Sequence, residues 1–343
     1  MRLFVAAPDI FVGDAVGNHC LSVVRAARRL GLEARAFARQ FSGEVEPIDT
    51  MFAQMRHDDA LLVSYSIYDP MLERLLTLPG RKICYFHGVT TPELLREFEP
   101  VTADLCARSA EQFPLLDRFD VLLANSHLTA QSLASYLDIG RVQIVPPVAA
   151  DMPIFHHAAV PCADSGTLEL LVVGRVVPHK RVEDAIDVLA QTRAAGRNAR
   201  LAVVGSAPND IYSAFLVRHA QRLGVLEQVH FAGMVDQHNL FECFDRADAL
   251  LSVSRHEGFC VPVLEAMHIG VPSFVRAGTA ASEVGAGAAV VFENLAEASE
   301  AICRMYGDDG VRCRMVNAGK RRAAEILAMA DDSVFKTIFQ APH

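Results

Sequence analysis

The 343-residue sequence contains no tryptophan, so the side chain with the broadest stacking face for a long glycan is missing. Paired cysteine motifs are absent as well. The eight cysteines, Cys20, Cys84, Cys106, Cys162, Cys243, Cys260, Cys303 and Cys313, include no C-x-x-C and no dense short-spaced framework. That excludes a disulfide-stapled small domain, and most of these thiols are expected to be small buried side chains in a reducing cytoplasm. There is no basic excess: with 41 acidic against 32 basic side chains the formal net charge is −9, so a duplex nucleic-acid binder would have to hide a local basic face in an acidic whole. No apolar run reaches the roughly 20 residues of a membrane span. The opening Met1-Arg2-Leu3-Phe4-Val5-Ala6-Ala7 stops at Pro8-Asp9, short of a signal peptide. The longest uncharged stretch, residues 121–137, is interrupted by Asn125, Ser126, His127, Thr129 and Gln131.

What is present is apolar and periodic. Hydrophobic residues make up 51% of the chain and charged ones 21%, which excludes disorder, and a chain of this length usually divides into two cores of about 100–200 residues each. In the first half, strand-sized runs at 3–7, 34–38, 60–64, 82–86, 121–124 and 142–145 alternate with helical stretches. Leu21-x-x-Val24-x-x-Ala27-x-x-Leu30, closed by Gly31, is one such amphipathic helix. Strands separated by helices predict a parallel sheet covered on both faces, which binds ligands at the carboxyl ends of its strands. Residues 146–166 hold Pro146, Pro147, Pro153, Pro161 and Gly166 without periodicity and read as a connection. A second series follows, with strands at 168–173, 201–204, 229–231, 249–253, 272–275 and 288–291 and helices near 182–195, 212–223, 238–245, 261–269 and from 295 onward. The expected architecture is α/β, with two Rossmann-like doubly wound domains facing across a cleft. Residues 1–150 are expected to form the first domain, 151–166 a linker and 167–325 the second, and the helical segment 326–343 could pack back across the seam.

Chemistry concentrates in the second half. A strand ends at Val173, Gly174 and Arg175 follow, and Lys180 stands just before the next helix. The planar fork of Arg175 and the point charge of Lys180 form the pairing expected for a diphosphate, although alone they also fit an ordinary solvated loop. The second constellation is Ser254-Arg255-His256-Glu257-Gly258-Phe259-Cys260-Val261-Pro262-Val263-Leu264-Glu265, following the apolar strand at 249–253. Pro262 is well placed as the first helical residue, so the amides from Gly258 onward would point out of a helix N-terminus, an anion site. Glu257 and Glu265 flank it. Carboxylates repel a diphosphate at short range, so their partners should be neutral hydroxyls, a sugar at one and a ribose at the other.

Taken together, Gly174-Arg175-x-x-x-x-Lys180 and Glu257-x7-Glu265, within Glu257-Gly258-Phe259 and Pro262-x-x-Glu265-Ala266-Met267-x-x-Gly270-x-Pro272, resemble the retaining nucleotide-sugar glycosyltransferases of family four, which have the GT-B fold. The resemblance also covers Gly13-Asp14-Ala15-Val16-Gly17, Leu123-Ala124-Asn125-Ser126 and the run from Leu168 to about Glu293. It implies that Arg175 and Lys180 bind the donor diphosphate and stabilise its departure. Glu257 would hold donor-sugar hydroxyls and brace the oxocarbenium-like centre, and Glu265 would bond the ribose. Gly174, Gly205, Gly258, Phe259, Cys260 and Val261 would approach the phosphates and sugar, with Met234 and Val235 near the base. Gly13 and Gly17 would form a flexible loop near phosphates and acceptor. His87, at the end of the strand at 82–86, would stand near the donor sugar, hydrogen-bonding or shuttling protons near neutral pH. The resemblance also implies that residues 1–150 form the acceptor-side domain and 167–325 the donor-binding domain, with retention of anomeric configuration, a nucleoside-diphosphate sugar as co-substrate, no obligate metal or other cofactor, and a glycan or lipid-linked acceptor.

Several residues depart from that pattern. Cys260 stands where many relatives have glycine, either packed or as a thiol of lowered pKa at a helix start. Arg276 enters the run after Pro272, and His19 and Cys20 open the first helix without a visible partner. Arg25, Arg28, Arg29, Arg35 and Arg39 enclose only Glu33. They form either a solvated face or a dock for anionic lipid headgroups, which would place the protein peripherally at the inner face of the membrane. Two other function classes compete: a sugar-nucleotide-binding protein without turnover, and a glycosidase using the paired carboxylates.

Overall fold

A computed structural model describes residues 1–147 and 166–340; the linker expected at 151–166 falls, apart from Gly166, outside the described residues. Apolar runs of three to nine residues build two parallel sheets. The first contains β1 (Arg2–Ile10), β2 (Glu33–Phe41), β3 (Val45–Pro47), β4 (Ala60–Tyr65), β5 (Arg81–Phe86), β6 (Val121–Ala124) and β7 (Val142–Ile144), in the order β3-β2-β1-β4-β5-β6-β7. β4 is buried at every position, as a strand covered on both faces must be. The second sheet contains β8 (Leu168–Val173), β9 (Ala199–Val204), β10 (Val229–Gly233), β11 (Ala249–Ser252), β12 (Ser273–Arg276) and β13 (Val290–Phe292), in the order β10-β9-β8-β11-β12-β13. These are the two Rossmann-like sheets expected from the sequence. β3, a three-residue strand, lies beyond what periodicity detects.

The chain groups into two units. The first takes Met1–Pro92, 101–147 and 327–340; the second takes Glu93–Pro100 and 166–326. The helix Ala15–Arg29 starts on Asp14, whose carboxylate accepts from the Val16 and Gly17 amides, an N-cap. It buries Val23, Val24 and Ala27 in a core shared with β1 and β2. Into that same core the final helix, Asp332–Gln340, inserts Phe335, Ile338 and Phe339. The segment Glu93–Pro100, assigned to the first domain from sequence, groups instead with the second unit. There the Phe98 ring lies 5.1 Å from Tyr212 and 5.4 Å from Phe215, and Asn209 Nδ2 donates to the Phe98 carbonyl at 2.9 Å.

Strand order reverses beside β1 in the first sheet and beside β8 in the second. In open parallel sheets, ligands bind just outside the carboxyl ends of the strands at such reversals.

Candidate functional site

In the second unit, the reversal lies between β8 and β11, and each strand delivers one of the two constellations. A cavity there is lined by Gly174, Arg175, Lys180, Val253, Ser254, Glu257, Cys260 and Pro262, among others. β8 runs out at Gly174, whose amide donates to the Val204 carbonyl at 2.9 Å, while the Gly205 amide donates to the Gly233 carbonyl at 2.9 Å. The ends of β8, β9 and β10 are thus laced through three glycines. A Cβ on Gly205 would fall 2.0 Å from the Gly174 carbonyl oxygen, so only glycine lets these strand ends approach so closely.

The sequence treats Lys180 and Glu257 as separate tools; the structure joins them. Lys180 Nζ lies 2.7 and 2.8 Å from the two Glu257 carboxylate oxygens. Burial alone would lower the lysine pKa, but the Glu257 carboxylate overrides it and holds the ammonium above its ordinary value. The two loops also meet through backbone, the Arg255 amide donating to the His179 carbonyl at 2.9 Å. His179 and His256, absent from the residues selected in sequence, flank the pair with ring centres 6.2 Å apart. Burial, reinforced for His179 by Lys180, lowers both pKa values and leaves neutral imidazoles. The signal for them was only adjacency, since each immediately precedes a selected residue.

Helix Val261–Ile269 begins at Cys260, which has φ 81 and supplies no side-chain cap. The N-cap side chain thus takes none of the first amides, but Pro262 has no N–H and the Val263 amide donates to the Cys260 carbonyl at 3.1 Å, so the helix start offers an anion the Val261 amide and the helix dipole. The left-handed φ explains why glycine suits this position. Of the two readings of Cys260, packed side chain or thiol of lowered pKa, burial favours the first: it pushes the thiol up to about 12, desolvation of the thiolate outweighing the helix terminus. Sγ packs 3.6 Å from Ser252 Oγ. On the same helix, burial raises the Glu265 carboxyl to about 7. Phe259 is buried, Gly258 and Val261 bracket the helix start, and Met234 and Val235 follow β10, with Met234 69% exposed.

In the first unit His87 follows β5, beside the reversal at β1 and β4. Its Nε2 lies 2.7 Å from Ser64 Oγ, and its amide donates to the Tyr65 carbonyl at 2.8 Å. Burial lowers its pKa to about 3. In the free protein this favours the neutral ring, held by the Ser64 hydroxyl. His19 gains the partners that sequence could not show, its ring 4.2 Å from Tyr85 and 5.0 Å from His87. Gly13 lies in the loop with φ 92, but Gly17 sits inside the first helix rather than in a flexible loop; a Cβ on it would fall 2.2 Å from the Phe11 carbonyl oxygen. Carboxylates distant in sequence reduce the arginine cluster: Arg28 pairs with Glu44 at 3.3 Å, and Arg35 with Glu46 at 3.2 Å.

Among the described residues, no group of three His, Cys, Asp or Glu could hold a metal ion, and no helix is long and apolar enough to cross a membrane.

Residues 159–322 match the family described as Glycosyl transferases group 1. The chain is 28% identical over 209 residues to the putative colanic acid biosynthesis glycosyltransferase WcaL of Salmonella typhimurium, covering 59% of this chain and 48% of that protein. It is 30% identical over 245 residues to the GDP-mannose-dependent alpha-(1-6)-phosphatidylinositol dimannoside mannosyltransferase of Mycobacterium tuberculosis, covering 66% and 59%. The chain spans about half the length of the curated relatives it matches. Among solved structures it is similar to WaaG, a glycosyltransferase involved in lipopolysaccharide biosynthesis, with a TM-score of 0.74 at 15% identity over 99% of this chain and 100% of that one. Anabaena HepE in complex with UDP-glucose gives 0.74 at 14% identity over 98% and 99%. The fold is GT-B, as the sequence resemblance implies.

Proposed function

We propose that this chain, whose residues 159–322 match the group 1 glycosyl transferases, transfers one glycosyl residue from a nucleoside-diphosphate sugar to a glycan or lipid-linked hydroxyl with retention of configuration. The observation that carries this reading is the Lys180–Glu257 pair at the strand-order reversal, set beside Arg175 and the start of the helix Val261–Ile269. Arg175, Lys180 and the helix start are suited to the diphosphate, and neutral hydroxyls of the sugar suit Glu257. When the anomeric carbon–oxygen bond breaks, the electron pair moves to the leaving diphosphate, whose charge these cations and the helix start stabilise. The acceptor oxygen forms the new bond on the same face and gives its proton to a leaving-group phosphate oxygen.

The relatives' names mention GDP-mannose and UDP-glucose, so the test is a panel of UDP, GDP, ADP and dTDP sugars scored for release of nucleoside diphosphate with an acceptor present. Glu257→Ala and Arg175→Ala should each lower turnover by at least about a hundredfold; near-wild-type rates in both would overturn the mechanism. Peripheral contact with an anionic membrane, if part of this activity, rests on Arg25, Arg28 and Arg29, exposed on the helix Ala15–Arg29. Charge reversal at all three should weaken sedimentation with anionic liposomes, and unchanged binding, or none in the wild type, removes membrane contact from the proposal.

A further inference from the structure

Arg276 breaks the sequence pattern without an evident purpose, yet in the structure it connects the two loops that carry Lys180 and Glu257. Its Nε donates to the Val253 carbonyl at 2.8 Å, four residues before Glu257. A terminal nitrogen meets the Asp184 carboxylate at 2.5 Å, four residues after Lys180. The other Asp184 oxygen accepts from Arg181 at 2.8 Å, and Arg181 also pairs with Glu183 at 2.7 Å. Arg181 follows Lys180 directly and has φ 54, a left-handed backbone that an L side chain holds only with compensation from its surroundings. These two ion pairs supply it. Tyr212 completes the cluster, its hydroxyl donating to Glu183 and accepting from the Val182 amide. Arg276 and Asp184 are 13% and 7% exposed, so removing Asp184 leaves the buried guanidinium of Arg276 without its carboxylate, whereas removing Arg276 leaves Asp184 to Arg181 alone and unties it from the Val253 carbonyl.

We propose that Arg276 is a positioning residue: by tying Asp184 to the Val253 carbonyl, it holds the Lys180 turn and the Glu257 loop at the separation that their ion pair and the donor require. This rests on the donor-site reading above. The planar guanidinium reaches both anchors at once, whereas a lysine has one ammonium on a flexible stem and serves one of them.

The chain has only four lysines, Lys82, Lys180, Lys320 and Lys336, so competitive acetylation of the whole protein, read by peptide mass spectrometry, reports on Lys180 without reference to activity. In Arg276→Gln and in Asp184→Asn, Lys180 should react at least about threefold faster than in the wild type, with the other three lysines unchanged and little rescue in Arg276→Lys. Unchanged Lys180 labelling in both variants, or a rise shared by all four lysines, overturns the inference. In the transfer assay, Arg276→Gln should lower kcat at least about tenfold while the Kd for nucleoside diphosphate moves less than about threefold, because Arg175 and the helix start remain. An effect on Kd alone also overturns it. If the wild type transfers no sugar, the proposed function fails, and the labelling result still decides the role of Arg276.

Discussion

Among the described residues, Glu265 is a carboxyl whose charge burial disfavours. Burial raises it from 4.5 to about 7. Because the folded-state pKa lies above the unfolded one, the neutral acid is the form the fold favours. Its contribution is fully present below about pH 4.5 and is lost as pH rises through about 7. Full loss corresponds to at most about 3 kcal/mol. Glu265→Gln should therefore raise the Tm of the free protein more at about pH 8 than at about pH 5; an equal gain at both would show that Glu265 ionises without cost. A ribose hydroxyl donating to this carboxylate would favour its charged form. Nucleotide binding by the wild type should then release protons at about pH 7, and binding by Glu265→Gln should not. The spacing of Glu257 and Glu265 was readable in sequence, but the burial that sets this titration was not, since it depends on which faces of the helix Val261–Ile269 the rest of the unit covers.

At the scale of elements, strands declare themselves where apolar runs are continuous, so β4, β6 and β8 were legible almost to the residue. What sequence cannot supply is contact between separate segments. Arg276 was visible as an irregularity, but its meaning depends on Asp184, 92 positions away, and on the Val253 carbonyl. Similarly, nothing local predicts that Arg181 takes a left-handed backbone or that Gly17 begins a helix turn pressed against Phe11. The lacing of β8 to β9 offers a direct test. Gly205→Ala places a methyl 2.0 Å from the Gly174 oxygen and 3.2 Å from the Arg175 nitrogen at φ +149, so the backbone that presents Arg175 must shift. Urea denaturation should show a loss of about 2 kcal/mol or more. The same displacement should weaken nucleoside diphosphate binding at least about tenfold by calorimetry. Wild-type stability together with wild-type affinity would mean that the strand ends tolerate separation and that their close approach is not what aims Arg175.

For the molecule as a whole, composition and periodicity revealed two α/β sheets, yet the chain does not visit them in simple succession. Glu93–Pro100 leaves the first unit to lay Phe98 on Tyr212 and Phe215, and the last helix returns to the first unit after the whole second sheet has been completed. Phe335 and Phe339 are 0% and 1% exposed and lie 5.7 Å apart, centre to centre, in a core with Val23, Ala27, Val5 and Ala36. The first unit thus depends on residues about 200 positions beyond its last strand, which composition along the chain does not reveal. Phe335→Ala should remove about 3–5 kcal/mol, the cost of lost burial plus an unfilled cavity. The loss belongs to the core in which Phe335 packs, among residues of β1, β2 and the helix Ala15–Arg29. Hydrogen exchange should accordingly speed up through β1, β2 and β4 in the variant while β8, β9 and β11 keep their wild-type protection. Equal acceleration in both sheets would instead show that the two units open as a single cooperative body, with the returning helix stabilising all of it.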